Sequence, residues 1–163
     1  MDFQSVTGAN SNRIDINAGS FGRRSLSAAI GGQGLFWDGR IFASHDQADG
    51  YRHHSASKRS NLHANAGWRS GTLENRSYFS YTDLHFDIPN VIPRSRLQSD
   101  PRSVMGDYNT AQDQASNIYV LDPNRETRQL RIANRTHWGE DNFNHTVGLY
   151  RQRIDDTFTS PPN

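Results

Sequence analysis

The sequence predicts an all-β protein built as an antiparallel up-and-down meander of about seven strands. Three observations carry that expectation. Apolar and polar residues alternate with a period of two in seven separate stretches, which sends the two kinds of side chain to opposite faces of a strand. The apolar positions are often small, with alanine prominent, whereas a soluble core needs more Leu, Ile, Val and Phe than this alternation supplies. The connections alternate between short turns and longer loops, the asymmetry of a transmembrane β-barrel.

Taken in order, NRIDINAGS (12–20) sets Ile14, Ile16 and Ala18 against Arg13, Asp15 and Asn17. RSLSAAIGG (24–32) sets Leu26, Ala28 and Ile30 against Ser25, Ser27 and Ala29. In LFWDGRIFASHD (35–46), Trp37, Gly39, Ile41 and Ala43 oppose Asp38, Arg40, Phe42 and Ser44. SNLHANAGW (60–68) opposes Leu62, Ala64, Ala66 and Trp68 to Asn61, His63, Asn65 and Gly67. LENRSYFSYTDL (73–84) places Phe79 and Tyr81 opposite Arg76, Tyr78 and Ser80. TRQLRIANRTHW (127–138) sets Leu130 and Ile132 against Gln129, Arg131, Arg135 and His137. NFNHTVGLYRQRI (142–154) sets Phe143, Val147 and Leu149 against Asn144, Thr146 and Tyr150.

GGQG (31–34), RSGT (69–72) and GEDN (139–142) read as tight turns, rich in the residues such turns need. The remaining connections are SFGR (20–23), the longer QADGYRHHSASK (47–58) and a stretch from Ile88 to Arg125. That last stretch is expected to be one extracellular loop, 88–125, and not two more strands. Pro89, Pro93 and Pro101 crowd its start, and proline removes ladder donors. Ser95 is expected to cap one helical turn through Arg96, Leu97 and Gln98 before Pro101 stops it. GDYNTAQDQAS (106–116) is polar without alternation and reads as a mobile, wet loop. Residues 1–11 are expected to be a lead-in, and 12–163 to carry the strands.

A small apolar face suits lipid, because acyl chains fill the gaps between small side chains while the polar face lines a wet lumen. Trp37, Trp68, Trp138, Tyr78 and Tyr81 fall near strand ends or turns, where an interfacial girdle would place them. The same pattern is open to a soluble β-sandwich or carbohydrate-binding module whose aromatics cap its strands, and to an enzyme on a β scaffold.

Composition narrows the function classes. The 163 residues suit one domain; only 33% are hydrophobic, and there is no Cys. That excludes disulfides, thiolate zinc sites and cysteine nucleophiles. A net charge of +1 argues against a nucleic-acid partner bound through bulk charge. No run reaches the ~18 apolar residues of a membrane helix. MDFQSVTGANSNR has neither the basic nor the apolar region of a signal peptide.

Chemistry finds little purchase. Adjacent His53 and His54 point opposite ways on an extended chain, which favours a solvated loop over a metal site. His63, His137 and His145 fall on strands. Asp155–Asp156 and Glu140–Asp141 stand without a partner base. No G-x-S-x-G elbow occurs, and GGQG is a turn and not a phosphate loop. Asn75-Arg-Ser and Asn134-Arg-Thr match a glycosylation acceptor pattern but lie inside strands. Neither enzymatic activity nor a cofactor or metal is expected. Arg13, Arg40, Arg76, Arg131 and Arg135 share the polar parity of their strands, so they are expected to face the lumen, as contact residues or as plain wall residues facing water.

The ordered segments AGSFG, QADGYRHHS and FDIPNVIPRSRLQSDPR, followed by LRIANRTHW and HTVGLYRQRIDD, resemble one family. They look like the first barrel strands of TonB-dependent outer-membrane receptors, the transporters of siderophores and metal chelates. The resemblance runs from about Asn12 onward. It implies a parent that takes up a ferric siderophore or similar chelate, without covalent chemistry, in the outer membrane. Its partners would be lipid, a plug domain filling the lumen and the TonB energy-coupling complex. Tyr51, Arg52, His53 and His54 would then sit on an extracellular loop that meets the chelate, and the lumen arginines would face the plug, to which guanidinium groups can bond bidentately. No signal peptide, TonB-contacting box or plug occurs in this sequence, and family barrels close with about 22 strands. The resemblance accordingly implies that 12–163 is a partial barrel, an incomplete segment of a transmembrane β-barrel, and a fragment that does not transport by itself.

Overall fold

A computed structural model describes residues 12–140 and 143–160. The expected lead-in over residues 1–11, and Asp141 and Asn142 of the GEDN turn, lie outside the described residues. The rest forms one antiparallel sheet in the order β1-β2-β3-β4-β5-β6-β7. The strands are β1 (Arg13–Ala18), β2 (Arg24–Gln33), β3 (Trp37–Ala48), β4 (Ser57–Ser70), β5 (Leu73–Asp87), β6 (Asn124–Glu140) and β7 (Phe143–Phe158). Each strand pairs with its neighbours in sequence, and β1 and β7 are the two edges. The sheet is an open meander.

Turn chemistry explains the connections. Phe21 and Gly22 sit at φ 57° and 66°, and the Arg23 amide donates to the Ser20 carbonyl at 3.3 Å, the backbone of a type I′ hairpin. The other short turns are tighter than the sequence suggests. Gly31, Gly32 and Gln33 continue β2, with Gln33 opposite Asp38, and Arg69 and Ser70 stay in β4. Gly71, at φ 58°, makes the bend that follows. Five strands also extend well beyond their alternating stretches: β3 runs to Ala48, β4 begins at Ser57, β5 runs to Asp87, β6 begins at Asn124 and β7 ends at Phe158. Backbone ladders continue where alternation fades, because an N–H finds its C=O whatever the side chain.

Register keeps the faces distinct. The row through Ile14 runs Ala28, Ala43, Leu62, Tyr81, Leu130 and Arg153. Ile14, Ile16, Leu26, Ile30, Trp37, Ile41, Leu62, Trp68, Ile132, Val147 and Leu149 occupy one face, and all are exposed, Ile16 at 77%. No second layer covers them among the described residues. This apolar band also crosses the rows obliquely. By β7 it has moved from the level of Arg153 to Val147 and Leu149, about five residues toward the turn end. Five residues of rise across six strand spacings correspond to an inclination of about 30°. Tyr78 corrects the expected girdle: it lies on the polar face, opposite Asn65 and Ala133. Tyr81 is on the apolar face with its hydroxyl bonded to Asp83 at 3.3 Å.

Among the described residues the one buried apolar cluster, Val104, Met105 and Ile118, lies in the connection between β5 and β6. That connection holds three short helices, α1 (Arg94–Ser99), α2 (Ala111–Ala115) and α3 (Ile118–Leu121), and no further strand. Pro93, not Ser95, stands at the N-cap of α1 and makes no side-chain bond there; the helix ends before Pro101. The expectation of a wet, mobile 106–116 is corrected. Thr110 caps α2 by accepting from the Asp113 amide, and Asn117 caps α3 by accepting from the Tyr119 amide. Thr110-Ala-Gln-Asp113 is a helix-start signal of the [ST]-x-x-[DE] kind, legible in the sequence but overlooked beside its polar neighbours.

Candidate functional site

Two places gather functional side chains: the loop end and the polar face. At the loop end, the connection 49–56 is stapled to the connection 88–123. Arg52 is the staple. Its guanidinium donates to the carbonyls of Asn90 (2.6 Å), Ser103 (2.9 and 3.3 Å) and Pro89 (3.3 Å), and partial burial pulls its pKa below the ordinary arginine value. The backbone N–H of His53 donates to Arg102 at 3.0 Å, and its Nδ1 bonds Asp107 at 2.9 Å. His54, at φ 50°, bonds the Pro123 carbonyl at 3.1 Å through Nε2. Tyr51 meets Phe21 edge-on at 5.3 Å, and its carbonyl accepts from Arg102 at 2.9 Å. All four expected ligand-loop residues bond the neighbouring loop, and Arg52 and His54 are half-buried against it. Tyr51 and His53 stay partly exposed.

Beneath them Asp113 is fully buried. Its Oδ2 accepts from the amides of Tyr108 (2.6 Å) and Gly106 (2.8 Å), and Arg96, which lies over the Tyr108 ring, pairs with its Oδ1. Desolvation works to raise the Asp113 pKa, but the Tyr108 amide, Arg96 and the Gly106 amide outweigh it and hold the group below its ordinary value. Asp107 follows the same logic. Desolvation opposes its charge, and the Tyr119 hydroxyl, the Val104 amide and His53 together win, lowering its pKa. Burial, with the bond to Asp107 behind it, pushes Tyr119 up to about 12. Sequence reasoning missed this knot because its partners are not neighbours in the chain: Tyr119 meets Asp107, Arg96 meets Asp113, and His53 reaches Asp107 from the other loop.

All five expected lumen arginines lie on the polar face. Arg13 pairs with Asp15 at 2.5 Å. Arg40 lies opposite Asn65, and Arg131 sits over the Tyr150 ring at 5.8 Å. Arg76 bonds both Asp38 oxygens and, at 2.8 Å, the Asn65 amide oxygen. Arg135 is the direct cross-strand partner of Arg76. Near the turn end a cavity of about 550 Å³ has walls that include Asp38, Arg69, Arg76, Arg135 and His137 together with the turn residues Leu35 and Phe36. His145 is on the opposite face, stacked on Trp138 at 5.4 Å. Also on the apolar face is a polar island in which Asn75, Ser77, Asn134 and Thr136 bond one another at 2.7–3.3 Å.

The arrangement can recognise a ligand or wall off a lumen. Among the described residues no group of three His, Cys, Asp or Glu is placed to hold a metal ion. No helix is long and apolar enough to cross a membrane, which says nothing of strands. No protein-family model matches this chain, and no curated protein matches it either.

Proposed function

We propose that this chain is a wall segment of an outer-membrane β-barrel of the TonB-dependent receptor type, whose parent takes up a ferric siderophore or similar chelate. The observation that carries the reading is the uncovered apolar face, inclined to the strand rows by about 30°. Membrane barrels tilt their strands by roughly 35–45°, so a horizontal lipid layer would cut the rows as this band does. The polar face lines the lumen in this reading, and the knot of 49–56 and 88–123 is the extracellular surface where a chelate first meets the wall. The polar island is tolerated because its amides and hydroxyls satisfy one another. Two open strand edges would each leave backbone groups unpaired in lipid, so the segment alone is not a transporter.

Single cysteines carrying a fluorophore test the facing. Labels at Leu62, Ala64 and Ala66 should be quenched by brominated lipid, and labels at His63 and Asn65 should not. Quenching that ignores parity overturns the wall reading, and quenching nowhere favours the sandwich. In a full-length parent, cysteines at Asp107 or Gln114 should react with an impermeant maleimide on intact cells; reaction only after the outer membrane is broken would invert the topology.

A further inference from the structure

Arg76 and Arg135 stand directly opposite each other on β5 and β6, and like charges so placed repel. Arg76 escapes by leaning away. Its side chain crosses β4 and reaches Asp38 on β3, two strands off. The path is open because residue 67 is glycine: a Cβ there would lie 2.6 Å from a guanidinium nitrogen. On the other flank the same row continues from Arg135 to Gly148 on β7, where a Cβ would meet nothing within 4 Å. No side-chain hydrogen bond or ion pair involves Arg135 among the described residues. The row therefore reads Asp38, Gly67, Arg76, Arg135, Gly148, and the position that mirrors Asp38 falls on a strand beyond β7.

We propose that the outer edge of β7 receives a further antiparallel strand carrying an aspartate or glutamate in register with Gly148, which Arg135 reaches across β7. The proposal rests on the wall reading, in which an open edge of the length of Phe143–Phe158 is costly in lipid. The reach required is two strand spacings, about 10 Å, the span Arg76 already covers. Gly148 plays the part of Gly67, leaving room for the guanidinium to lie flat. The partner strand is apolar on its other parity, because that parity extends the face of Val147 and Leu149. Its acid relieves the repulsion between the two arginines by drawing them apart in opposite directions.

The test uses the full chain in detergent micelles and a fluorescent synthetic peptide of about ten residues, the length of one membrane strand. The peptide alternates leucine with threonine, and its central threonine is replaced by aspartate in one version and asparagine in another. The aspartate peptide should bind roughly three- to fivefold tighter, the range of a single solvated ion pair, and Arg135→Gln should erase the difference. Equal binding of both peptides to the unsubstituted chain overturns the proposal, as does a preference that survives Arg135→Gln. Binding of neither peptide removes the docking edge itself. Self-association through β7 that excludes the peptide would make a second copy the occupant and also overturn it. A preference for aspartate without the parity of lipid quenching would sink the wall reading alone; quenching without the preference would sink this proposal alone.

Discussion

The sheet and the loop knot draw on the same polar composition and hold together by different means. In the sheet, cohesion is lateral: ladders and side-chain pairs join strand to strand, and the large apolar groups of one face stay uncovered, Ile14 at 73% and Leu149 at 71%. In the knot, Val104 and Ile118 are fully buried, and a buried carboxylate is held by two amides and Arg96. The knot carries its own small interior, whereas among the described residues nothing covers the apolar face of the sheet. In the proposed reading lipid covers that face.

The sharpest way to break that contrast is at Asp113. Asp113→Ala leaves Arg96 partly buried without its partner and should destabilise the knot by about 3–5 kcal/mol, seen as rapid proteolysis within 88–123 while amides of β3 to β5 stay protected from exchange. Loss of protection throughout the sheet would mean the two regions fold as one unit. Next in size, Ala64→Arg on the apolar face should cost about 2–4 kcal/mol in lipid, and Asn65→Arg on the polar face much less. Denaturant titration in vesicles measures both, and equal penalties would cancel the facing. Gly67→Ala comes third. Its methyl must displace the Arg76 guanidinium, at about 1–3 kcal/mol, and the penalty should shrink when Arg76 is already alanine.

The smallest effect is on pH. Asp107 and Asp113 have folded pKa values below the ordinary 3.8, so the stability they lend is present above about 3.8 and is lost as pH falls through their lower folded values. Tyr119 is displaced from 10.0 up to about 12, so its contribution is complete below about 10 and is lost as pH rises toward 12. Proteolysis of 88–123 should therefore be slowest between these limits and quicken outside them. A rate flat from pH 3 to 11 would show that these charges do not hold the knot.

Period-two alternation was enough to place all seven strands and both faces, because side-chain direction in a strand depends only on the parity of the residue. All five arginines fell on one face for that reason. Prolines at 89, 93 and 101 likewise announced that no strand would follow β5 at once. The sequence could not show the partners of those residues. Arg52 looks like a ligand-loop residue beside His53 and His54, yet it bonds carbonyls near residues 90 and 103; Asp113 looks solvated within GDYNTAQDQAS, yet it is fully buried. The Arg52 contacts are set by how two loops meet at the sheet's end, and those of Asp113 by how the connection 88–123 folds back on itself. The passage of Arg76 over Gly67 to Asp38 also waited on tertiary structure, because only pairing register brings residues 38, 67 and 76 into one row. Alternation is a local property of the chain, and register is a relation between strands decided by every turn between them.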